Sequence, residues 1–437
     1  MIPEAVARPT SESELLDLLR QSRLERHPIT PAGGQTSTTG ASITNRGTLL
    51  SLRGLNEVGD VDRDHLTVRV QAGALLGDLK RRLASDGLLL APDPTSEDDV
   101  TIGGAIACNA SGARSLLYGA TRPHVAALRV ALANGSIHEL RRTRLEKNTV
   151  GYFPVHDPID WFIGSEGTLG VIVEAELALL PLPPNVMGLA VPFPGEREAF
   201  EFIVAARGST EVSARCLEYF DGLALDVART AEGAAGWAQG AGALVYLEQV
   251  SGAGSEIPLD QWLALAKRHG AVEDDIVVYE TPSALRDARR LRHRVPSTMI
   301  ERGNRYRALG GRRVSTDWAV PYRRLREAVS ESRRLAERAG IGQPVVYGHA
   351  GNGHPHQNFI ARDAAELARI EGVVEARLRH VIALGGTVAA EHGIGKIKRR
   401  WLPLQLTPMQ LEMMRAMKRD LDPDGLLGPG NLFEHHD

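Results

Sequence analysis

The chain has 437 residues, of which 43% are hydrophobic and 24% charged, with 51 Lys and Arg balanced by 54 Asp and Glu. This length predicts two or three domains at roughly 100–200 residues each, and the composition is typical of a folded globular protein, which excludes disordered and fibrous classes. Because the formal net charge is only −3 and no long run carries one sign, we expect a small-molecule partner and no nucleic-acid binding.

Two features of the sequence concern the cellular environment. Its apolar stretches all fall short of the roughly 20 residues that a membrane-spanning helix needs, and the N-terminal residues lack the pattern of a secretory signal. Cys108 and Cys216 are the only cysteines, too few for a disulfide framework or a Cys-ligated iron–sulfur cluster. We therefore expect a cytoplasmic protein with no stable membrane insertion, and a peripheral association with a membrane is left open.

The first half of the chain predicts short helices and strands. Ser11 precedes a run of leucines and predicts a helix N-cap, with Glu14 completing a capping box. A second helix is expected at 75–86, where leucines recur at helical spacing. Strands are predicted from β-branched and alternating runs at 27–31, 48–52, 66–70, 125–132, 136–140, 170–172 and 175–180.

The proline-rich stretch 181–184 marks the main predicted domain boundary. After it, amphipathic helices are predicted at 196–206, 258–268, 323–339 and 363–384, alternating with strands at 243–250 and 275–278. This mixture indicates an α+β fold. We expect one domain at 1–183, a second at 184–405, and a C-terminal segment, 406–437, that returns to the first domain.

Three segments of the first half concentrate glycine, serine and threonine: 31–40, 101–112 and 164–170. Glycines let the backbone approach a ligand closely, and consecutive N–H groups with hydroxyl side chains can hold phosphate oxygens. Each segment alone is compatible with an ordinary tight turn, but the three together favour a diphosphate cofactor. The sequence has neither a Walker-type phosphate loop nor a Gly-x-Gly-x-x-Gly fingerprint in the context of a Rossmann fold.

The order and spacing of these segments resemble a known flavoprotein family. Residues 31–37, 92–96, 101–112, 118–119, 147–148 and 164–170 are similar to the FAD-binding domain of the vanillyl-alcohol oxidase/para-cresol methylhydroxylase flavoproteins. The resemblance implies a two-subdomain FAD-binding domain of the para-cresol methylhydroxylase type, followed by an α+β cap domain with an antiparallel sheet. It also implies that the loops wrap the diphosphate and ribityl chain of FAD.

The resemblance assigns the FAD contacts to small and polar residues of these loops and to the C-terminal segment. They are Pro31, Ala32, Gly33, Gly34, Gln35, Thr36, Ser37, Pro94, Thr95, Gly103, Gly104, Ala107, Asn109, Ser111, Gly112, Tyr118, Gly119, Glu166, Gly167, Gly170, Val171, Ile172 and Asn431. Gln35 and Ser111 stand where the family usually has glycine. The first loop lacks the histidine to which some relatives attach the flavin, so we expect non-covalent FAD.

Histidines cluster in the second half of the chain, where five of the 14 lie between residues 349 and 392. The cluster includes His349, His354 and His356 in a glycine-rich loop, His380, and the pair Glu391-His392. Two imidazoles and one carboxylate with open coordination positions are typical of a divalent-metal site. The alternative is a histidine that lies on the surface, or in the core with its hydrogen bonds made, and has no metal. This alternative is favoured for His380, which lies within a predicted helix.

These segments resemble the motifs of the D-lactate and D-2-hydroxyglutarate dehydrogenase branch of the same superfamily, to which the glycolate oxidase flavin subunit is also related. The resemblance implies that His349, His356 and Glu391 bind a divalent metal, which would be zinc, manganese or iron, and that His392 is the catalytic base. His354 replaces an asparagine of the common motif.

The stretch Arg289-Arg290-Leu291-Arg292 is similar to a Trp-x-Leu-Arg sequence of the family, although the tryptophan is missing. The resemblance implies that the planar guanidinium of Arg292 binds the substrate carboxylate. A solvated basic helix face is the alternative.

As a whole, the resemblance implies an FAD- and metal-dependent dehydrogenase that oxidises a D-2-hydroxy acid to the 2-oxo acid, with hydride transfer to flavin N5. Two alternatives stay open: a flavin oxidase of another alcohol or phenol, and a non-catalytic flavin- or metal-binding subunit of a larger redox complex. An electron acceptor is required, and no motif indicates which one.

Overall fold

The computed structural model describes residues 1–434 apart from 144, 146, 148, 149, 151–156 and 231–236, and only the backbone of Leu291 and Arg292. Asn148, part of the predicted family motif, therefore lies outside the described residues. Contacts between Cα atoms divide the chain into two units. The first contains 1–112, 119–182 and 391–437, and the second contains 113–118 and 183–390.

The strands are numbered in chain order. They are β1 (Ala5–Ala7), β2 (Ile29–Ala32), β3 (Thr48–Ser51), β4 (Val58–Asp62), β5 (Thr67–Gln71), β6 (Leu88–Leu89), β7 (Val125–Ala131), β8 (Ile137–Arg141), β9 (Val171–Ala178), β10 (Leu180–Pro181), β11 (Asn185–Phe193), β12 (Ala214–Asp221), β13 (Ala243–Ser251), β14 (Val277–Tyr279), β15 (Gly310–Thr316), β16 (Val345–Gly348) and β17 (His356–Asp363).

The α-helices are numbered in the same way. They are α1 (Glu12–Glu25), α2 (Leu76–Ser85), α3 (Ile102–Ala107), α4 (Ser115–Tyr118), α5 (Ile159–Phe162), α6 (Glu196–Gly208), α7 (Gly222–Arg229), α8 (Leu259–Arg268), α9 (Pro282–Asn304), α10 (Leu325–Arg338), α11 (Ala364–Ala383), α12 (Leu402–Gln405) and α13 (Pro408–Leu421). Short 3-10 turns lie between several of these elements, including Ala350–Asn352.

The first unit contains two main sheets. The strands β1-β3-β2 pair in parallel, whereas β4-β5-β9-β7-β8 form an antiparallel sheet. In β9 the residues alternate between the buried face and a more exposed face that carries Glu174 and Glu176. The buried residues of this sheet join leucines of α1 and α2 in one hydrophobic core. Alternation of this kind is the expected pattern for a sheet with one solvated face.

The second unit is built on the antiparallel sheet β14-β11-β13-β12-β16-β17-β15. One face carries a core that includes Phe220, Leu244, Tyr347 and residues of α7 and α9. The α+β class and the antiparallel sheet of the second domain, both predicted from the sequence, are confirmed. No helix among the described residues has the length and apolarity needed to cross a bilayer.

Most predicted helices are observed within two residues of their expected ends, but local details differ. The predicted capping box of α1 is wrong in one half: Ser11 accepts from the amide of Glu14, but the Glu14 carboxylate accepts from the amide of Thr10 at 2.7 Å. The small-residue segment 101–112 begins with helix α3, capped by the hydroxyl of Thr101, which accepts from the amide of Gly104. The two strands expected at 170–172 and 175–180 form the single strand β9.

Candidate active site

The three small-residue segments contact one another in the first unit. A Cβ atom on Gly33 would lie 2.1 Å from the hydroxyl oxygen of Thr101, so the first and second segments touch. The amide of Glu166, in the third segment, donates to the carbonyl of Ala107 at 2.9 Å. A Cβ on Gly167 would lie 3.1 Å from the Pro31 ring. The segments therefore form one continuous region, as a shared ligand requires.

Several predicted contact residues are glycine because the backbone has no room for a side chain. A Cβ on Gly34 would lie 2.0 Å from the carbonyl oxygen of Asp99, and one on Gly112 would lie 2.1 Å from that of Asp93. Likewise, a Cβ on Gly103 would lie 2.6 Å from the Ala72 methyl. Real Cβ atoms do not approach backbone oxygens so closely, and larger side chains at these positions would displace the segments.

One residue in each segment has a left-handed backbone although it is not glycine. The φ angles are 57° for Gln35, 47° for Asn109 and 53° for Glu166. A left-handed backbone favours glycine, the residue that the family resemblance implies at the position of Gln35. Its side chain offsets part of the strain by donating to the carbonyl of Ser42 at 2.7 Å. Asn109, a residue that tolerates this conformation, accepts from the amide of Arg122 at 2.9 Å.

The segment that follows Glu391 is fixed to the third loop by a buried carboxylate. Glu166 is 7% exposed, and it accepts hydrogen bonds from the amides of Ile394 and Gly395, the latter at 2.6 Å. Burial raises the pKa of Glu166, while the two amides act in the opposite direction. Both oxygens of the Glu166 side chain thus accept hydrogen bonds from the backbone, so we expect any contact of this residue with a cofactor to come from its main chain.

The first loop holds the predicted catalytic base in place. The hydroxyls of Ser37 and Thr39 each donate to the carbonyl of His392 at 3.3 Å. The His392 imidazole is 31% exposed, and its Nε2 lies 3.8 Å from a carboxylate oxygen of Glu391. Ser111, in the second loop, donates to the other oxygen of Glu391 at 3.4 Å. Glu391 and His392 therefore lie beside the predicted FAD loops.

Asn431 joins the C-terminal segment to the same region. Its amide nitrogen donates to the carbonyls of Ala41 and Glu166, and its oxygen accepts from Lys396 at 2.7 Å. Partial burial lowers the pKa of Lys396 to about 8. All polar atoms of the Asn431 side chain thus serve to hold the segments together.

The remaining predicted FAD contacts are spread over the same unit, with one exception. Val171 and Ile172 open β9, and their side chains lie in the hydrophobic core, with Gly170 just before them. Pro94 is buried and Thr95 exposed. Gly119, at φ 78°, begins the second segment of the unit. Tyr118 ends α4 and groups with the second unit instead.

In the second unit the structure brings three histidines together. His349 follows β16 and His356 begins β17, while His354 lies in the turn between them. Their ring centroids are 4.8–5.3 Å apart, and ligand nitrogens of His349 and His356 lie within 4.8 Å of each other. Gly353 allows the turn, because its φ is 70° and a Cβ there would lie 1.9 Å from the carbonyl of Val320.

A carboxylate that sequence reasoning missed orients the first of these histidines. Glu218, on β12, is fully buried and lies 2.7 Å from His349 Nδ1. A carboxylate at Nδ1 fixes the tautomer and leaves Nε2 for a metal. The signal in the sequence is a single acidic residue inside the apolar strand Cys216–Phe220, since an acid is rarely buried without a partner.

Glu391 and Arg292 are the other two predicted site residues. Glu391 belongs to the first unit and follows Ala390, the last residue of the second, whose amide donates to the carbonyl of Asp317 at 2.7 Å. Arg292 lies on helix α9, and its side chain is outside the described residues.

Comparison with known families assigns both halves of the chain. Residues 3–141 match the model of an FAD binding domain, and residues 182–432 match that of the C-terminal domain of FAD-linked oxidases. The chain belongs to the FAD-linked oxidases. The predicted FAD-binding domain is thereby confirmed.

Curated relatives cover nearly the whole chain of this FAD-linked oxidase. The Bacillus subtilis glycolate oxidase subunit GlcD is 31% identical over 99% of this chain and 89% of the relative. A D-lactate dehydrogenase of Archaeoglobus fulgidus is 31% identical over 98% of this chain and 90% of the length of that enzyme. A D-2-hydroxyglutarate dehydrogenase of Xanthomonas citri pv. viticola is 31% identical over the whole of this chain and 90% of the length of that enzyme.

Among solved structures, an alkyldihydroxyacetonephosphate synthase is similar in fold. Its TM-score is 0.72 at 18% identity, and the match covers 97% of this chain and 75% of that one. This similarity confirms the predicted fold and carries no information on the substrate.

A substitution tests the close approach of the loops. We expect Gly34→Ala to weaken FAD binding, because its Cβ would overlap the Asp99 carbonyl, and such overpacking costs about 1–3 kcal/mol. The measurement is FAD titration of the apoprotein. Gly252→Ala is the control, since nothing lies within 4 Å of a Cβ there. Equal FAD affinity of wild type and Gly34→Ala would contradict the expectation.

Proposed function

We propose that this FAD-linked oxidase is a metal-dependent D-2-hydroxy-acid dehydrogenase that produces the 2-oxo acid. The observation that carries the proposal is the buried pair of Glu218 and His349 at 2.7 Å, with His356 beside it. Burying a charged carboxylate is costly unless a well-placed partner offsets the cost, and here the partner is an imidazole, which a carboxylate at Nδ1 orients for metal binding. The names of the relatives, lactate, 2-hydroxyglutarate and glycolate enzymes, agree with this substrate class.

The metal ligands in this proposal are His349, His356 and Glu391. Two imidazole nitrogens and a carboxylate oxygen suit zinc, manganese or iron, and they leave coordination positions open. A metal held there would bind the hydroxyl and carboxylate oxygens of the substrate and lower the pKa of that hydroxyl.

His392 is the proposed base that removes the proton of the substrate hydroxyl. Its carbonyl is held by Ser37 and Thr39 in a loop of the FAD-binding domain, while its partly exposed ring can meet a ligand. FAD, when bound, supplies the acceptor for the hydride on the substrate Cα. Arg292 is the proposed partner of the substrate carboxylate, as a bidentate guanidinium donor. The electron acceptor that reoxidises the flavin is not assigned.

The first test concerns the base. We expect the His392→Asn variant to bind FAD normally. Its flavin should be reduced by substrate about 100- to 10,000-fold more slowly than that of the wild type, the usual contribution of a general base. The measurement is anaerobic bleaching of the flavin absorbance by a D-2-hydroxy acid in a stopped-flow instrument. His138→Asn, an exposed histidine on β8, is the control. An unchanged rate for His392→Asn would remove this residue from the mechanism.

The second test concerns the metal. We expect EDTA to stop turnover by the wild type without bleaching the flavin, and added zinc, manganese or iron to restore it. Glu391→Gln should be inactive with a normal flavin spectrum, and metal should not rescue it. Loss of FAD from this variant would instead indicate a structural role, and full activity after chelation would favour a metal-independent flavin oxidase.

The third test concerns the carboxylate behind His349. We expect Glu218→Gln to lower metal affinity by about tenfold to a hundredfold, because the neutral amide makes the imidazole a weaker ligand. Zinc binding to the FAD-loaded, metal-depleted protein is measured by calorimetry. Glu211→Gln, at an exposed position before β12, is the control. Wild-type affinity in Glu218→Gln would show that this carboxylate does not support a metal.

A further inference from the structure

The two strands that bring Glu218 and His349 together are paired over a very short length. β12 and β16 are joined at two residue pairs, Tyr219 with Gly348 and Phe220 with Tyr347. One further step of this antiparallel register sets Glu218 opposite His349, and the carboxylate and Nδ1 of these residues are 2.7 Å apart. A shift of one residue would turn every side chain to the other face of the sheet. The contact of Glu218 with His349 therefore depends on what holds these strands in register.

A side chain holds the opposite end of this short pairing. The same register sets Asp221, the last residue of β12, opposite Val346. Val346 is fully buried, and its amide donates to Asp221 Oδ2 at 2.9 Å. A buried amide needs an acceptor, so the carboxylate adds a third link between the two strands. The pairing thus has a side-chain contact at each end, with Asp221 at one and Glu218 at the other.

The Asp221 carboxylate is fully buried and fixed by three donors. Oδ1 accepts from the amide of Ala224 at 2.7 Å and so caps α7. Oδ2 accepts, besides the Val346 amide, Nη2 of Arg333 on α10 at 2.8 Å. Arg333 also donates to Glu196, the first residue of α6. Burial raises the pKa of Asp221 to about 6 although Arg333 acts in the opposite direction, so the group is ionised at neutral pH.

Asp221 does not face the histidines. It follows Glu218 by three residues, and side chains alternate along a strand, so the two acids point to opposite faces of the sheet. Asp221 points toward α10, from which Arg333 reaches it. Any effect of Asp221 on the histidine cluster therefore passes through the backbone of β12 and β16.

We propose that Asp221 is a positioning residue of the candidate metal site, because it fixes the register that holds Glu218 against His349. The inference rests on the proposed function, since it concerns one of the proposed metal ligands. Without the link to Val346 only two backbone pairs would join the strands. Glu218 would then lose its fixed distance from His349, and the imidazole would lose its orientation.

Asp221→Asn is the informative variant. Asparagine is as good an N-cap as aspartate, so the cap of α7 is kept, whereas the new NH2 group can accept neither from Val346 nor from Arg333. Asp363→Asn is the matched control, because Asp363 is exposed and caps α11 through the amide of Glu366 at 2.8 Å. The variants are compared as FAD-loaded, metal-depleted proteins.

The first readout is the imidazole itself and needs no metal. In protein labelled with 15N-histidine, the Nδ1–H of His349 that donates to Glu218 should give a proton signal protected from exchange with water. The signal is identified by its loss in His349→Gln. We expect Asp221→Asn to lose it or to speed its exchange by about tenfold or more, the worth of a hydrogen bond to a charged group, and Asp363→Asn to keep it. Absence of the signal from the wild type would overturn the inference.

The second readout is zinc affinity, measured by calorimetry. We expect Asp221→Asn to weaken zinc binding by about tenfold, as for other groups behind a metal ligand, and Asp363→Asn to leave it unchanged. If Asp221 acts through Glu218, adding Asp221→Asn to Glu218→Gln should weaken zinc binding by less than about twofold more. An equal tenfold loss in both backgrounds would assign Asp221 a general structural role and overturn the inference.

Arg333→Gln carries the comparison if Asp221→Asn does not fold. This variant keeps the carboxyl group and the cap of α7 but removes the cation that holds Oδ2. The histidine signal and the zinc affinity should change in the same direction and by a smaller factor. Arg334→Gln is its control, since Arg334 is the next residue of α10, is 47% exposed and pairs with Glu331 on the same helix. Wild-type behaviour of Arg333→Gln would contradict the inference.

Two outcomes separate this inference from the proposed function. If zinc binds the wild type but neither the histidine signal nor the zinc affinity changes in Asp221→Asn, the positioning role is overturned and the metal site remains. If zinc does not bind the wild type but the histidine signal still depends on Asp221, the positioning role is supported and the metal-dependent function is rejected.

Discussion

The hydrogen bonds between the buried Glu166 carboxylate and the amides of Ile394 and Gly395 are the constraint on which the FAD-binding unit depends. They connect the third small-residue loop to the chain that carries Glu391 and His392. Gly393 is required because a Cβ there would lie 2.1 Å from the Glu166 oxygen. A carboxyl group buried in this way needs such donors. Ser37 and Thr39 hold the His392 carbonyl in the same stretch, so side chains of the first and third loops together fix the segment that carries Glu391 and His392.

The second unit also buries acidic side chains, and these lie on its central sheet. Neighbouring strands β12 and β13 carry Glu218 and Glu248, and both acids face the same side. Their partners differ: Glu218 lies against an imidazole that can also bind a metal, and Glu248 against guanidinium groups. Two adjacent carboxylates in a low-dielectric environment would repel each other strongly without these partners. The sheet thus keeps two chemically distinct polar sites within one apolar face.

Much of the fold could be predicted because the signals are local. The leucine spacing of α2 and the alternation in β5 follow from burial on one face. No bounds were predicted for helix α9, and its basic stretch was considered only as an alternative helix face. The helix begins at the Thr281 cap with Pro282 in its first turn. Its apolar residues are few and separated by arginines, but Leu285, Val295 and Met299 are buried. The strained Gln35 was visible only as a departure from a family pattern, because a φ angle cannot be read from one residue.

The residue types of the site could be predicted from the sequence, but the contacts between those residues could not. Clustered histidines and glycine-rich loops are unusual enough to be noticed in a sequence, whereas Glu218 and Glu248 are 131 and 101 residues from His349 along the chain. Only the pairing of β12 with β13 and β16 brings them together. A single bulged residue then decides whether Arg215 points to the polar face or away from it. Long-range register of this kind is set by the whole sheet, so no local motif in the sequence contains these contacts.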